Sequence, residues 1–169
     1  HMSEQHDWYL RSCWPDALKH SLLLNSSDVT IYLNPSKDRI EKQSLQNTTS
    51  LLQETFQHQN LTIHVRDNPG YNSGAKAALS DARKEGWFEG YDWVFRMNPD
   101  VIVRNDSFIL DVMQTDSNAA GILIKCSGYA DTDFFAIKPN ALSKDAFLGS
   151  NTLGAERSFT DDIRNTILL

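Results

Sequence analysis

Cysteine is scarce in this sequence: Cys13 and Cys126 are the only two in 169 residues. They can form one bridge at most, so a disulfide-stapled scaffold is excluded, and two buried free thiols are the simpler expectation. Long apolar runs are missing too. The wholly apolar stretches are a few residues each, too short for a transmembrane helix or a signal-peptide core. Positive charge is in deficit, with 16 Lys and Arg against 22 Asp and Glu and a net charge of −6. Nonspecific attraction to nucleic acid is therefore not expected. Any phosphate binding has to come from local geometry and a metal ion. His6, His20, His58 and His64 are scattered without metal-ligand spacing. No Gly-x-Ser-x-Gly, His-Glu-x-x-His or Cys-x-x-Cys occurs, which removes serine-hydrolase, zincin and thioredoxin-like chemistry. Sequons stand at Asn25, Asn47, Asn60 and Asn105, but a chain rich in Asn, Ser and Thr makes some by chance. A soluble chain, cytoplasmic rather than secreted, is the expectation.

What is there is ordinary in bulk. Hydrophobic residues make up 40% and charged residues 22%, which fits a globular domain and not a disordered, collagenous or coiled-coil chain. The length suits one domain with a core of its own. His1-Met2 resembles a cloning scar, leaving 3–169 as the domain. Strand and helix patterns alternate. Val29–Asn34, Leu61–Asp67, Trp93–Asn98, Gly121–Cys126 and Asp133–Lys138 read as strands, and Val101–Val103 is β-prone after Pro99. Trp8–Leu24, part of Lys37–Gln57, Ala75–Glu85, Ser107–Met113, Pro139–Phe147 and Glu156–Leu168 read as helices. Such alternation predicts an α/β sandwich of three layers with a mainly parallel central sheet. Ligands then bind beyond the carboxyl ends of strands. Asn34-Pro35, Asp67–Gly74 and Asn98–Asp100 are those ends.

Three constellations carry chemistry. Asp67–Lys76 (DNPGYNSGAK) takes a strand through a two-glycine turn into a helix. Glycines let a ligand approach the backbone, a helix start offers free N–H groups to an anion, and Lys76 can reach a phosphate. The spacing is neither a dinucleotide fingerprint nor a P-loop; read alone, it is equally a plain β–turn–α connection. An apolar strand next delivers Asn98 and Asp100 to its end, with Pro99 stopping the strand between them. One such carboxylate suits Mg²⁺ or Mn²⁺, which fill their other positions with phosphate and water; read alone, it is an Asx-Pro turn. Last comes an acidic group, Asp131, Asp133, Glu156, Asp161 and Asp162. A carboxylate can act as general base on a sugar hydroxyl, but for each acid read alone a solvated helix face is the better reading, with Arg157 or Arg164 as partner of Asp161 and Asp162.

Together, Asn68-x-Gly70-Tyr71-x-x-Gly74, a helix, and a strand ending Asn98-Pro99-Asp100-Val101 resemble the nucleotide-sugar glycosyltransferases of the GT-A fold. The nearest pattern is the inverting family-2 enzymes of the rhamnosyltransferase-like branch, and it covers about Val29 to Ile167. The resemblance implies a Rossmann-like sandwich. It implies a donor site of Asn34, Asp67, Asn68, Gly70, Gly74, Lys76, Asn98 and Asp100, with Asn98 and Asp100 holding Mn²⁺ or Mg²⁺ against the diphosphate. The donor is a UDP-, dTDP- or GDP-linked sugar, and the acceptor a glycan or glycoprotein. Thr132–Lys138 resembles the acceptor-side strand, and Glu156–Ile163 the late acidic motif that supplies the base.

Three departures stand out. No first strand precedes Trp8–Leu24, Asn34 stands where an aspartate is usual, and the late motif reads Phe-Thr-Asp-Asp. The base therefore stays open among Asp161, Asp162 and Glu156, in that order of preference. Thr160 is expected to cap a helix start there, whose dipole would lower the carboxylate pKa. The chain is short for such an enzyme, which implies further domains in a longer protein. Two other functions stay in view: a noncatalytic nucleotide-sugar-binding domain of the same fold, and a sugar-phosphate nucleotidyltransferase, disfavoured by the lack of its Gly-rich, basic N-terminal loop.

Overall fold

The computed structural model describes residues 4–35, 42–70, 73–103, 105–126, 129–148 and 155–166. The protein is mixed α/β and divides into two compact units, 1–68 with 99–110, and 69–98 with 111–169. The chain passes between them after Asn68, after Asn98 and after Leu110. Two of these crossings are the Asn-Pro steps of the sequence motifs.

The first unit opens with helices α1 (Glu4–Trp8), α2 (Trp14–His20) and α3 (Leu22–Asn25), with a π-helical turn, Tyr9–Cys13, between α1 and α2. Pro15 sits in the first turn of α2, where its missing N–H is harmless. Ser21 breaks α2 from α3 in an extended conformation, and its hydroxyl caps α3 by accepting from the Leu24 N–H at 3.0 Å. The β-branched run Val29–Leu33 forms β1, and Leu61–Val65 forms β2. They pair in parallel, from Val29 opposite Leu61 to Leu33 opposite Val65. Helix α4 (Lys42–Thr55) makes the crossover that parallel neighbours require. Leu51, Leu52 and Phe56 from its end are buried, as are Leu10, Trp14, Leu18, Leu23 and Leu24 of the N-terminal helices.

The second unit is built on β3 (Val94–Met97), β4 (Gly121–Cys126) and β5 (Tyr129–Ile137), in the order β3-β5-β4. Both pairings are antiparallel, with Met97 opposite Phe134 and Gly121 opposite Ile137. Among the described residues, the expected mainly parallel sheet is thus reduced to the parallel β1–β2 pair. The reason is connection length: only residues 127 and 128 separate β4 from β5, too few for a parallel crossover. Phe134, Phe135, Ala136 and Ile137 are all buried, because β5 is central and covered on both faces. Helix α5 (Gly74–Lys84) and helix α7 (Ala155–Thr166) complete the unit, and α7 packs on β5. Phe159 of α7 lies 4.3 Å from Phe135, ring centre to ring centre, and Leu79, Ala82, Phe88 and Ile163 join the same core. Helix α6 (Ser107–Thr115) begins in the first unit and ends in the second.

Two expected elements change. Pro139–Phe147 is not a helix but a 3-10 turn, Pro139–Ala141, followed by tight turns. Leu142 is extended, and the Ser143 carbonyl accepts from Arg83 Nη2 at 3.0 Å instead of serving a helix. Val101–Val103 is not a strand but a loop that begins at Pro99, which cannot donate to a sheet ladder. Among the described residues, no helix is long and apolar enough to cross a membrane.

Candidate functional site

Within the first unit, three of the expected donor-site residues meet at the carboxyl ends of β1 and β2. The Asn34 amide donates to the Asp67 carbonyl at 3.1 Å and the Arg66 carbonyl at 3.5 Å. Asn68 returns a bond to the Asn34 carbonyl at 3.4 Å. Asn34 therefore closes the end of a parallel pair with the nitrogen of its side chain, while the Asp67 carboxylate stays exposed. An aspartate in place of Asn34 would have no N–H to donate there.

The next segment is the glycine turn. Gly70 has φ +101°, a conformation side chains resist, and its carbonyl accepts from the Ser73 N–H at 3.3 Å. Among the described residues nothing lies within 4 Å of where a Cβ would sit, so the glycine is needed for backbone shape rather than for close packing. Tyr71 and Asn72 lie outside the described residues. Gly74 is the first residue of α5, after Ser73, whose side chain makes no cap. Lys76 follows in the first turn, half-buried.

Asn98 follows β3 in the second unit, and its backbone N–H donates to the Asp133 carbonyl at 2.9 Å. Its side chain is fixed at both ends. The oxygen accepts from Arg96 Nη2 at 2.8 Å, and the nitrogen donates to Asp133 Oδ1. A cation and a carboxylate on the two sides leave one orientation of the amide. Asn98, expected as a metal ligand, thus spends its oxygen on a guanidinium. Asp100 differs: it is exposed, and its carboxylate has no hydrogen-bond or ionic partner among the described residues. It fits the single-carboxylate mode by which Mg²⁺ or Mn²⁺ is held beside phosphate oxygens. Among the described residues, no three of His, Cys, Asp and Glu gather as a metal group. The backbone next to Asp100 is held from within the first unit. The buried Trp14 donates its indole N–H to the Pro99 carbonyl at 2.8 Å.

Helix α7 carries the late acids. It begins at Ala155, so Thr160 is a buried mid-helix residue and not a cap. For Asp162 the lowering expected of a helix start is not found. The Asp162 carboxyl is instead pushed up, first by burial and then by the charge of Asp161, with Lys76 of α5 pulling the other way. Helices α5 and α7 pack together, which brings Lys76 within electrostatic reach of Asp162. Asp161 and Asp162 are both half-exposed, and consecutive helical residues point about 100° apart. Glu156 lies on α7 and Asp131 on β5, with side chains outside the described residues.

Arg96, Trp14 and the pairing of Asp133 with Asn98 are absent from the motif pattern. Asp133 becomes legible once β3 and β5 are set antiparallel; nothing in the spacing marks Trp14. The second unit also holds a cavity of about 520 Å³ lined by Arg83, Phe88, Glu89, Asp92, Asn140 and Leu142. It opens at the start of β3, the opposite end of that strand from Asn98. Compared with known proteins, the chain matches no family model, no curated protein and no solved structure.

Proposed function

We propose that this chain is a GT-A-type nucleotide-sugar glycosyltransferase domain, transferring a sugar to an acceptor hydroxyl with inversion. The observation that carries this is the order of the motifs, which ends on Asp162, a half-buried carboxylate of α7 pushed up by burial and Asp161 and within electrostatic reach of Lys76. Catalytic bases are tuned upward in this way, because proton transfer improves as the base pKa nears the working pH. Ahead of it in that order come a glycine turn into a helix start, then a strand ending Asn98-Pro99-Asp100.

In the proposed reaction, Asp162 accepts the proton of the acceptor hydroxyl. The acceptor oxygen bonds to the anomeric carbon as the bond from that carbon to the diphosphate oxygen breaks. The diphosphate leaves with the electron pair. Lys76 keeps Asp162 ionised when acceptor binding displaces water. The positive end of the α5 dipole favours an anion. Asp100 would hold the divalent cation, which supplies charge neutralisation on the diphosphate when bound. Asn98 acts differently, by setting the Asp133 carboxylate, a hydrogen-bond acceptor for sugar hydroxyls.

The test is a thermal-shift screen of UDP-, dTDP- and GDP-sugars with and without Mn²⁺. A donor at about 100 times its Kd adds about 2.7 kcal/mol, or roughly 5–10 °C at this chain length. Stabilisation by none of them removes the donor site. Stabilisation without turnover on any glycan acceptor leaves a binding domain, and consumption of a nucleoside triphosphate with a sugar phosphate means a nucleotidyltransferase.

A further inference from the structure

The proposed reaction gives the N-terminal helices no part. They grip the loop that carries Asp100 at both of its ends. At the start, Trp14 donates its indole N–H to the Pro99 carbonyl at 2.8 Å, one residue before Asp100. At the far end, the Asp106 carboxylate accepts from the Ser21 hydroxyl at 2.8 Å and the Leu23 N–H at 2.9 Å. The holding side is rigid. Trp14 is buried with its ring 5.3 Å from Phe56 of the first unit's core, and Ser21 is buried between two helices. The π-helical turn before Trp14 changes the helical phase by an extra residue, which sets the face from which the indole projects. The held side is loop: among the described residues, Val101–Val103 joins no sheet.

We infer that Trp14 is a positioning residue: its bond to the Pro99 carbonyl, with the Ser21–Asp106 clasp at the far end of the loop, fixes where the Asp100 carboxylate stands to meet a divalent cation and nucleoside diphosphate. This rests on the proposed role of Asp100. Trp14 touches neither ligand; it acts through one backbone carbonyl. A carbonyl that loses a buried partner rotates toward water, and the adjoining residue turns with it.

The experiment measures Mn²⁺ uptake by electron paramagnetic resonance, with Mn²⁺ alone and with UDP, beside the melting temperature of each variant. The wild-type chain takes up Mn²⁺ with UDP, and Asp100→Ala abolishes it. Trp14→Phe keeps an aromatic ring in the core and loses only the donor. It raises the Kd for Mn²⁺–UDP roughly tenfold, the scale of one lost hydrogen bond. Should Trp14→Phe fail to fold, Ser21→Ala opens the clasp at the other end and raises the same Kd by a smaller factor. A lower melting temperature with wild-type Kd in the folded protein overturns the positioning role and leaves Asp100 as the ligand. Wild-type protein that takes up no Mn²⁺ with UDP overturns the proposed donor site, and the positioning role with it.

Discussion

The two units treat a carboxylate in opposite ways. In the first, the Leu23 N–H and the Ser21 hydroxyl hold the Asp106 carboxyl below its ordinary range. In the second, burial and the neighbouring Asp161 push the Asp162 carboxyl above it, against the pull of Lys76. Burial acts upward on both and comes first at Asp162, so burial does not give Asp106 its opposite sign. Donors do. A carboxylate met by N–H and O–H groups is stabilised as the anion and becomes a fixed joint. A carboxylate pushed up by burial, and then by a neighbouring carboxylate, is held ready to take up a proton. Stability therefore depends on the two groups with opposite sign. Asp106, lowered, adds stability above the ordinary aspartate pKa, and that stability is lost as pH falls through its depressed value. Asp162, raised, adds stability only below the ordinary pKa, and it is lost as pH rises through the elevated value.

The sharpest way to break this contrast is to neutralise each acid in turn. Asp162→Asn is expected to cut kcat about 10²–10⁴-fold at saturating donor, the usual worth of a general base. It should leave donor affinity unchanged and hold or raise the melting temperature at pH 7. A full rate in Asp162→Asn returns the base to Asp161 or Glu156. Asp106→Asn should do the reverse. It keeps the shape, loses the anion, and costs about 1–2 kcal/mol at pH 7 through weaker bonds to Leu23 and Ser21. Denaturant melts at pH 7 and pH 3 measure it: the penalty shrinks at the lower pH. A penalty that does not change with pH means the joint is neutral in the folded protein.

The same contrast shows what the sequence made visible. The strand segments were legible from β-branched runs, and α5 and α6 from composition, because these are local signals. The pairing of strands was not. An alternating pattern suggested one parallel sheet, whereas β4 and β5 follow each other too closely to pair in any way but antiparallel. Gly70 was legible as a turn glycine, and φ +101° bears that out. The helix of the late acids was legible to within one residue at its start, Glu156 against Ala155, but the state of the acids was not, because the cap read at Thr160 gives way to a start five residues earlier. That shift takes Asp162 away from the positive end of the helix. Asn98 was legible as a strand-end polar residue, but its partners Arg96 and Asp133 come from alternate positions on one strand and from register across to another.

The smallest expected effect tests whether Lys76 belongs to Asp162. Lys76 stands in the first turn of α5, where the sequence alone suggested a reach toward phosphate. The packing of α5 on α7 instead places its charge in the field of Asp162. A half-exposed pair of this kind contributes only about 0–1 kcal/mol, so Lys76→Met should change stability little. Its effect should appear in the pH profile. Lys76 favours the ionised carboxylate, so removing it lets burial and Asp161 act unopposed and raises the Asp162 pKa further. The acid limb of kcat/KM against pH, which reports the free enzyme, then moves to higher pH while the plateau above it holds. Lys76→Arg should restore the wild-type limb. If Lys76 served the diphosphate, Lys76→Met would raise donor KM at every pH and leave the limb in place. Those two outcomes differ in direction rather than in size, so a modest shift is enough to decide which anion Lys76 serves.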